Sequence, residues 1–285
     1  MRKTLAFAAA FAVAVIFFTQ NITVLAKVFD KNEVPLGWEE KRSAHFIIYY
    51  NPNIPKRYVD MVVRKSEDSY KKITDRLGFR RFNFWLWEDR AKIFIYDTIE
   101  EYQKHRGEPE WSGAAVNVRQ KKIYTFFLEE KFFERFLPHE IGHIIFREFI
   151  GMNNRAVPLW LDEGVACAQE EAGRLEYVAT AKGLVESGMY LKIPDLMKIG
   201  KGNLAMPTMF YAESASIIIF LEEKFRSRKF SNFCRELRDE KTVDEALEKA
   251  YRIIGVRDLN DQWEDHIKNI TYQEIHDKYG SAGTR

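Results

Sequence analysis

The chain has 285 residues, 46% hydrophobic and 30% charged, enough to bury one large core or two smaller packed lobes and too apolar for a largely disordered chain. Its 44 Lys and Arg nearly balance 42 Asp and Glu, so the formal charge of +2 gives no electrostatic case for a nucleic-acid partner. Two cysteines, Cys167 and Cys234, exclude a disulfide scaffold and neither reads as a metal ligand; a single bridge between them depends on a distance that sequence does not contain.

The chain opens with a basic Met1-Arg2-Lys3, an unbroken apolar run over residues 5–18 and the short residues Val24, Leu25 and Ala26. This is the layout of a secretory signal peptide. If Thr19, Gln20 and Asn21 are tolerated, the run reaches Ala26 and serves instead as a retained membrane anchor. Either way the chain from residue 27 is expected outside the cytoplasm, secreted or periplasmic, or anchored through residues 5–26.

Residues 45–50 are rich in β-branched and aromatic side chains and predict a strand before the Asn51-Pro52-Asn53 turn. His45 reads as structural. An amphipathic helix follows over residues 55–77, where Val59, Val62, Ser66, Tyr70, Ile73 and Leu77 recur at three and four and Gly78 supplies the stop. The aromatic cluster at residues 82–87 is expected in the core, and residues 92–96 form a strand. Residues 105–110, from His105 to Glu110, read as a polar loop leading into strand-like segments at 113–117 and 122–126. The small residues Gly113, Ala114 and Ala115 would let another backbone come close.

His139-Glu140-Ile141-Gly142-His143 then places two imidazoles one turn apart on a helix face with a carboxylate beside them. In an H-E-x-x-H pattern both histidines bind Zn²⁺ and the glutamate acts as general base on a metal-activated water. Pro138 ahead of the motif and Gly151 after Ile150 predict a helix over 138–150. Ile141, Ile144, Ile145 and Phe149 would bury their side chains while His139, Glu140 and His143 face a cleft. A second helix opens at Pro158 and runs to about residue 171, with the acidic pair Asp162 and Glu163 inside an apolar run where charges need partners.

Residues 185–207, punctuated by glycine and proline, read as an irregular, mobile loop, and residues 210–225 as a strongly apolar helix. Thr242 and Glu245 form a capping box, with Gly255 as the stop of that helix. Asn260 is expected to cap a last helix carrying Trp263, Ile267 and Ile270, and His266 and His276 are not expected to be ligands. The tail at 280–285 is expected to be disordered.

At the H-E-x-x-H segment and Glu163 the chain resembles the gluzincins, the thermolysin-like and aminopeptidase-like metallopeptidases, in which a glutamate roughly twenty residues past the second histidine completes the site. The W-L-x-E-G-x-A wording around Glu163 is similar to the peptidase MA-like families, and the likeness extends from about residue 43 to about residue 270. The resemblance implies an α+β, zincin-like fold: an N-terminal mixed α/β-sheet lobe at residues 27–150, a helical lobe at 151–279, and the active-site cleft between them. It implies one Zn²⁺ on His139, His143 and Glu163, with Glu140 as the base. Asp162 is the alternative third ligand, but it would point about 100° away around the helix and lacks the family spacing. Each imidazole also needs an acceptor on its other nitrogen, for which Glu170, Glu213 and backbone carbonyls are candidates.

In gluzincins an edge strand upstream of the zinc helix pairs with an extended substrate, which implies substrate binding at Gly113, Ala114 and Ala115. Residues 113–117 are similar to the G-A-M-E-N motif of the aminopeptidase branch, with Val116 where that branch has the glutamate that holds the substrate amine. Tyr211 resembles the family's hydrogen-bond donor to the oxyanion, against the plain reading of a packed tyrosine at a helix start. The implied activity is zinc-dependent hydrolysis of peptide or protein substrates, as an endopeptidase. Two other readings compete with it: a non-catalytic module that binds extended peptides or assembles with an envelope partner, and an amidase acting on envelope peptides. The intact Glu140 speaks against the module, which needs no base between its ligands.

Overall fold

The β-branched and aromatic runs of the first half pair into one mixed sheet in the order β1-β2-β3-β5-β4, with β1 at Glu39–Arg42, β2 at Phe46–Tyr50, β3 at Ala91–Tyr96, β4 at Ala114–Asn117 and β5 at Lys122–Phe126. In this computed structural model, residues 34–79, 85–106, 114–128 and 130–280 are described. The stretch read as signal or anchor, residues 82–84, the segment 107–113 with Gly113, and the tail 281–285 lie outside them. Two units are distinguished, one of residues 1–68 and 83–133 and one of residues 69–82 and 134–285. The H-E-x-x-H segment thus groups with the helical unit, whereas the sequence reading ended the N-terminal lobe at residue 150.

Within the first unit, β2, β3 and β5 run parallel while β1 and β4 flank them antiparallel. Central β3 buries both faces, as parallel strands do: Ala91, Ile93 and Ile95 on one side and Phe94 and Tyr96 on the other. Tyr49, Phe94, Tyr124 and Ala115 stand side by side across four strands, and their rings stack at 5.1 and 4.8 Å. β1 escaped the sequence reading because Glu39-Glu40-Lys41-Arg42 has no apolar alternation; its exposed charges suit a sheet edge. Of the aromatic cluster, Trp85 is buried against Phe46, but Trp87 is exposed, with φ of 57°.

Helix α1 spans Lys56–Leu77 and ends at Gly78, whose φ of 75° is the left-handed turn that glycine takes without strain. A short α2 at Ile99–Arg106, started by the Thr98 hydroxyl accepting from Glu101 N, includes His105 and Arg106, which the sequence assigned to a loop.

The helical unit is built on α3 (Glu130–Ile150), α4 (Leu159–Ala168), α5 (Arg174–Ser187), the short α6 (Ile193–Leu196), α7 (Pro207–Lys224), α8 (Ser227–Arg238), α9 (Val243–Tyr251), α10 (Gly255–Asn269) and α11 (Tyr272–Tyr279). α3 begins eight residues before the expected Pro138 start, so the proline sits inside the helix. An interior proline costs ~3 kcal/mol, and burying Leu137, Ile141, Ile144 and Ile145 at roughly 1.5–3 kcal/mol each outweighs it.

Of the region expected to be an irregular loop, residues up to Ser187 belong to α5 and Ile193–Leu196 form α6 with Ile193 and Leu196 buried, while residues 188–192 and 197–206 are irregular. Thr242 and Glu245 do form the capping box of α9, but that helix ends at Arg252 in the left-handed region, and Gly255 starts α10. Asn260 lies inside α10 and accepts from Ile193 N at 3.1 Å instead of capping a helix, and α11 follows as a further element. Among the described residues no helix is long and apolar enough to cross a membrane.

Candidate metal centre

Glycines bring the two motif helices together. A Cβ on Gly142 of α3 would lie 3.3 Å from the Ala166 backbone of α4, and one on Gly164 would lie 2.5 Å from the Ser214 carbonyl of α7. The α4–α7 approach at Gly164 leaves no room for a side chain, while at Gly142 the α3–α4 approach is tight and a neighbour would have to give by a few tenths of an ångström. The result sets His139, His143 and Glu163 facing one another, all buried.

The Nε2 atoms of His139 and His143 are 3.2 Å apart, and Glu163 Oε2 lies 3.4 Å from His143 Nε2 and 3.9 Å from His139 Nε2. Tetrahedral zinc with nitrogen and oxygen ligands at ~2.1 Å holds its donors about 3.4 Å apart, so the three atoms fit a single ion. These residues form one of two groups with metal-binding spacing among the described residues.

The second nitrogens strengthen the fit. His139 Nδ1 faces Glu170 Oε1 at 2.8 Å, and His143 Nδ1 faces Asp162 Oδ1 at 3.2 Å. A carboxylate partner favours a proton on Nδ1, which turns both Nε2 lone pairs toward each other. Two lone pairs at 3.2 Å repel unless a proton or a metal cation lies between them. Of the acceptors expected from sequence, Glu170 serves His139, whereas Glu213 instead accepts from Leu191 N at 2.9 and 3.1 Å. Asp162, weighed as an alternative ligand, orients His143.

Burial opposes charge on His143, yet Asp162 and Glu163 outweigh it and raise its pKa well above the ordinary value. Burial also pushes Glu163 up, but the two histidines beside it hold it below the usual carboxylate range. Glu140 differs: burial raises its pKa, with Glu163 and Glu170 adding to the shift. Its Oε2 is enclosed and has no hydrogen-bond partner. Such an atom is costly unless something binds to it, which suits a group that takes a proton from water.

Tyr211 lies on α7, nearly buried, and burial together with the charges of Glu163 and Glu140 keeps its phenol protonated well above the ordinary range. Ala114 and Ala115 belong to the sheet unit, where β4 is the last strand in the sheet order and the Ala115 side chain is buried.

Cys167 and Cys234 are free and buried. Cys167, unread as a ligand in the sequence, joins His139 and Glu170 in the second group, its Sγ 3.8 Å from His139 Nδ1. Burial raises this thiol well above its usual pKa, and the neutral thiol is a poor ligand. Sequence reasoning also missed Arg135, Arg147 and Tyr177, which surround the two orienting carboxylates.

The profile of the peptidase MA superfamily matches residues 87–269, which include both motif helices. The chain belongs to the peptidase MA superfamily and is a metallopeptidase-like protein. None of the curated proteins compared with it matches.

Proposed function

We propose that this protein is a zinc-dependent endopeptidase. The observation that carries the reading is the convergence of His139, His143 and Glu163 beside the unpartnered Oε2 of Glu140. His139, His143 and Glu163 would hold the ion, and zinc supplies Lewis acidity that polarises a carbonyl and brings the pKa of a water toward ~7. Glu140 Oε2 takes the proton of the attacking water and returns it to the leaving amine. The Tyr211 hydroxyl donates a hydrogen bond to the carbonyl oxygen as negative charge develops on it.

Substrates are peptides or proteins in extended form, for which the backbone of β4 at Ala114 and Ala115, with Gly113 beside it in sequence, offers strand pairing. Val116 supports internal rather than amino-terminal cleavage, because a desolvated ammonium needs a carboxylate and an isopropyl group supplies none. The basic and apolar opening of the sequence supports an extracytoplasmic location, secreted, periplasmic or membrane-anchored.

Elemental analysis of the purified protein is expected to find about one zinc per chain, lost in Glu163→Ala. A peptide and its amino-acetylated twin are expected to be cut at the same internal bonds, as read by mass spectrometry. Absence of stoichiometric zinc refutes the metal assignment, and stepwise release of residues from the free peptide alone refutes the endopeptidase assignment.

A further inference from the structure

Arg135, His139, His143 and Arg147 recur at intervals of four along α3. Residues so spaced share a helix face, so the histidine pair has an arginine on either side. Each arginine grips a carboxylate that also meets the neighbouring imidazole. Arg135 Nε donates to Glu170 Oε2 at 3.0 Å and the Tyr177 hydroxyl donates to the same oxygen at 2.9 Å, leaving Oε1 to His139 Nδ1. Arg147 donates through Nε and Nη2 to Asp162 Oδ2 at 3.0 and 2.7 Å, leaving Oδ1 to His143 Nδ1. The two halves thus share one wiring, arginine to far oxygen and near oxygen to imidazole, although one carboxylate precedes Glu163 and the other follows it.

We propose that Arg135 and Arg147 are positioning residues that act through Glu170 and Asp162 to hold both imidazoles with Nε2 turned to the ion; this rests on the zinc reading above. A carboxylate on a rotatable side chain does not by itself choose which oxygen it offers. Occupying the far oxygen, with two N–H groups of Arg147 at Asp162 and with Arg135 Nε and the Tyr177 hydroxyl at Glu170, leaves the near one in place for Nδ1–H, and that fixes both tautomer and ring plane. Charge points the same way. A buried carboxylate is costly without a cation, and each arginine supplies one in direct contact.

Each guanidinium is itself anchored: Arg135 reaches Glu176 at 2.9 Å, and Arg147 donates to the Asn154 carbonyl at 3.1 Å. The same wiring explains why His139, Cys167 and Glu170 are not a second metal site. Glu170 Oε2 already accepts two donors, and His139 Nδ1 would have to surrender the proton that Oε1 holds.

The test is zinc affinity of the full chain by competition with a chromophoric chelator, alongside melting of the metal-free protein. Arg135→Met and Arg147→Met are each expected to bind zinc about 10- to 100-fold more weakly, the range typical of lost outer-shell partners. Arg135→Lys and Arg147→Lys are expected to recover part of the loss, since an ammonium restores the charge but not the fork. A purely structural role would lower the melting temperature and leave the affinity of the folded fraction unchanged. Should a methionine variant fail to fold, Glu170→Gln and Asp162→Asn read the same relay from its middle member and are expected to show the same loss. Tight zinc binding by the parent, with affinities within twofold in all these variants, overturns the proposal alone. A parent that binds no zinc, or binding that survives His139→Ala with His143→Ala, removes the zinc reading and the proposal together.

Discussion

The sheet unit and the helical unit bury opposite kinds of chemistry. Around Phe94 the sheet packs Tyr49, Tyr96, Tyr102, Ala115 and Tyr124, a core of rings and aliphatic groups. The helical unit encloses His139, His143, Asp162, Glu163, Glu170, Lys182 and Glu213 along with its apolar residues. Apolar burial gains free energy wherever surfaces match, whereas each buried charge must be matched by a specific partner. The first unit is therefore held by apolar packing, and the second keeps costly groups whose partners hold them in one geometry.

Four substitutions would break or sharpen this contrast. The largest effect is expected for Glu140→Gln, which keeps fold and metal but cannot take a proton; peptide hydrolysis should fall by ~10²- to 10⁴-fold or more. Activity within a few fold of the parent would mean that Glu140 is not the base. Phe94→Ala should destabilise the protein by ~3–5 kcal/mol through lost transfer energy and the cavity left behind. Urea titrations at pH 5 and 8.5 are expected to give the same cost, and a cost that changes with pH would contradict a core held without ionised groups.

Gly164→Ala comes next. Its methyl would meet the Ser214 carbonyl at 2.5 Å, and because the obstacle is backbone the α4–α7 contact must open, at a cost of roughly 1–3 kcal/mol read as a lowered melting temperature. Zinc affinity should fall as well, since α4 carries Glu163. An unchanged melting temperature would show that the approach is slack.

Glu213→Gln comes last, because its effect depends on pH and vanishes in acid. Burial raises the Glu213 pKa to about 8, against 4.5 when unperturbed. A folded-state pKa above the unfolded one means that the favourable protonated form is fully present below about pH 4.5, and that stability is lost as pH rises to about 8. Glutamine does not ionise and retains an acceptor for Leu191 N, so the variant should match the parent at acid pH and exceed it by ~2 kcal/mol above pH 8, after allowance for relaxation around the charge. Parallel curves for the two proteins from pH 4 to 9 would show that Glu213 carries no such cost.

Much of this organisation was legible in the residues alone. Spacing placed His139 and His143 on one helix face, the wording around Glu163 pointed to the carboxylate that lies beside them, and alternation and capping located β2, β3, β5, α1 and the Thr242 cap. Such signals survive in sequence because helix period, strand alternation and caps act within a few residues. Folding over longer range decided the rest. Pro138 could lie inside α3 only because apolar burial outweighed its cost, and charged β1 formed through its pairing with β2. The orienting partners were hidden for the same reason. Arg147 and Asp162 are 15 residues apart, His139 and Glu170 31, and Arg135 and Glu170 35. No local period links such positions, so which carboxylate faces which imidazole was settled by the tertiary packing of α3 against α4, tight at Gly142.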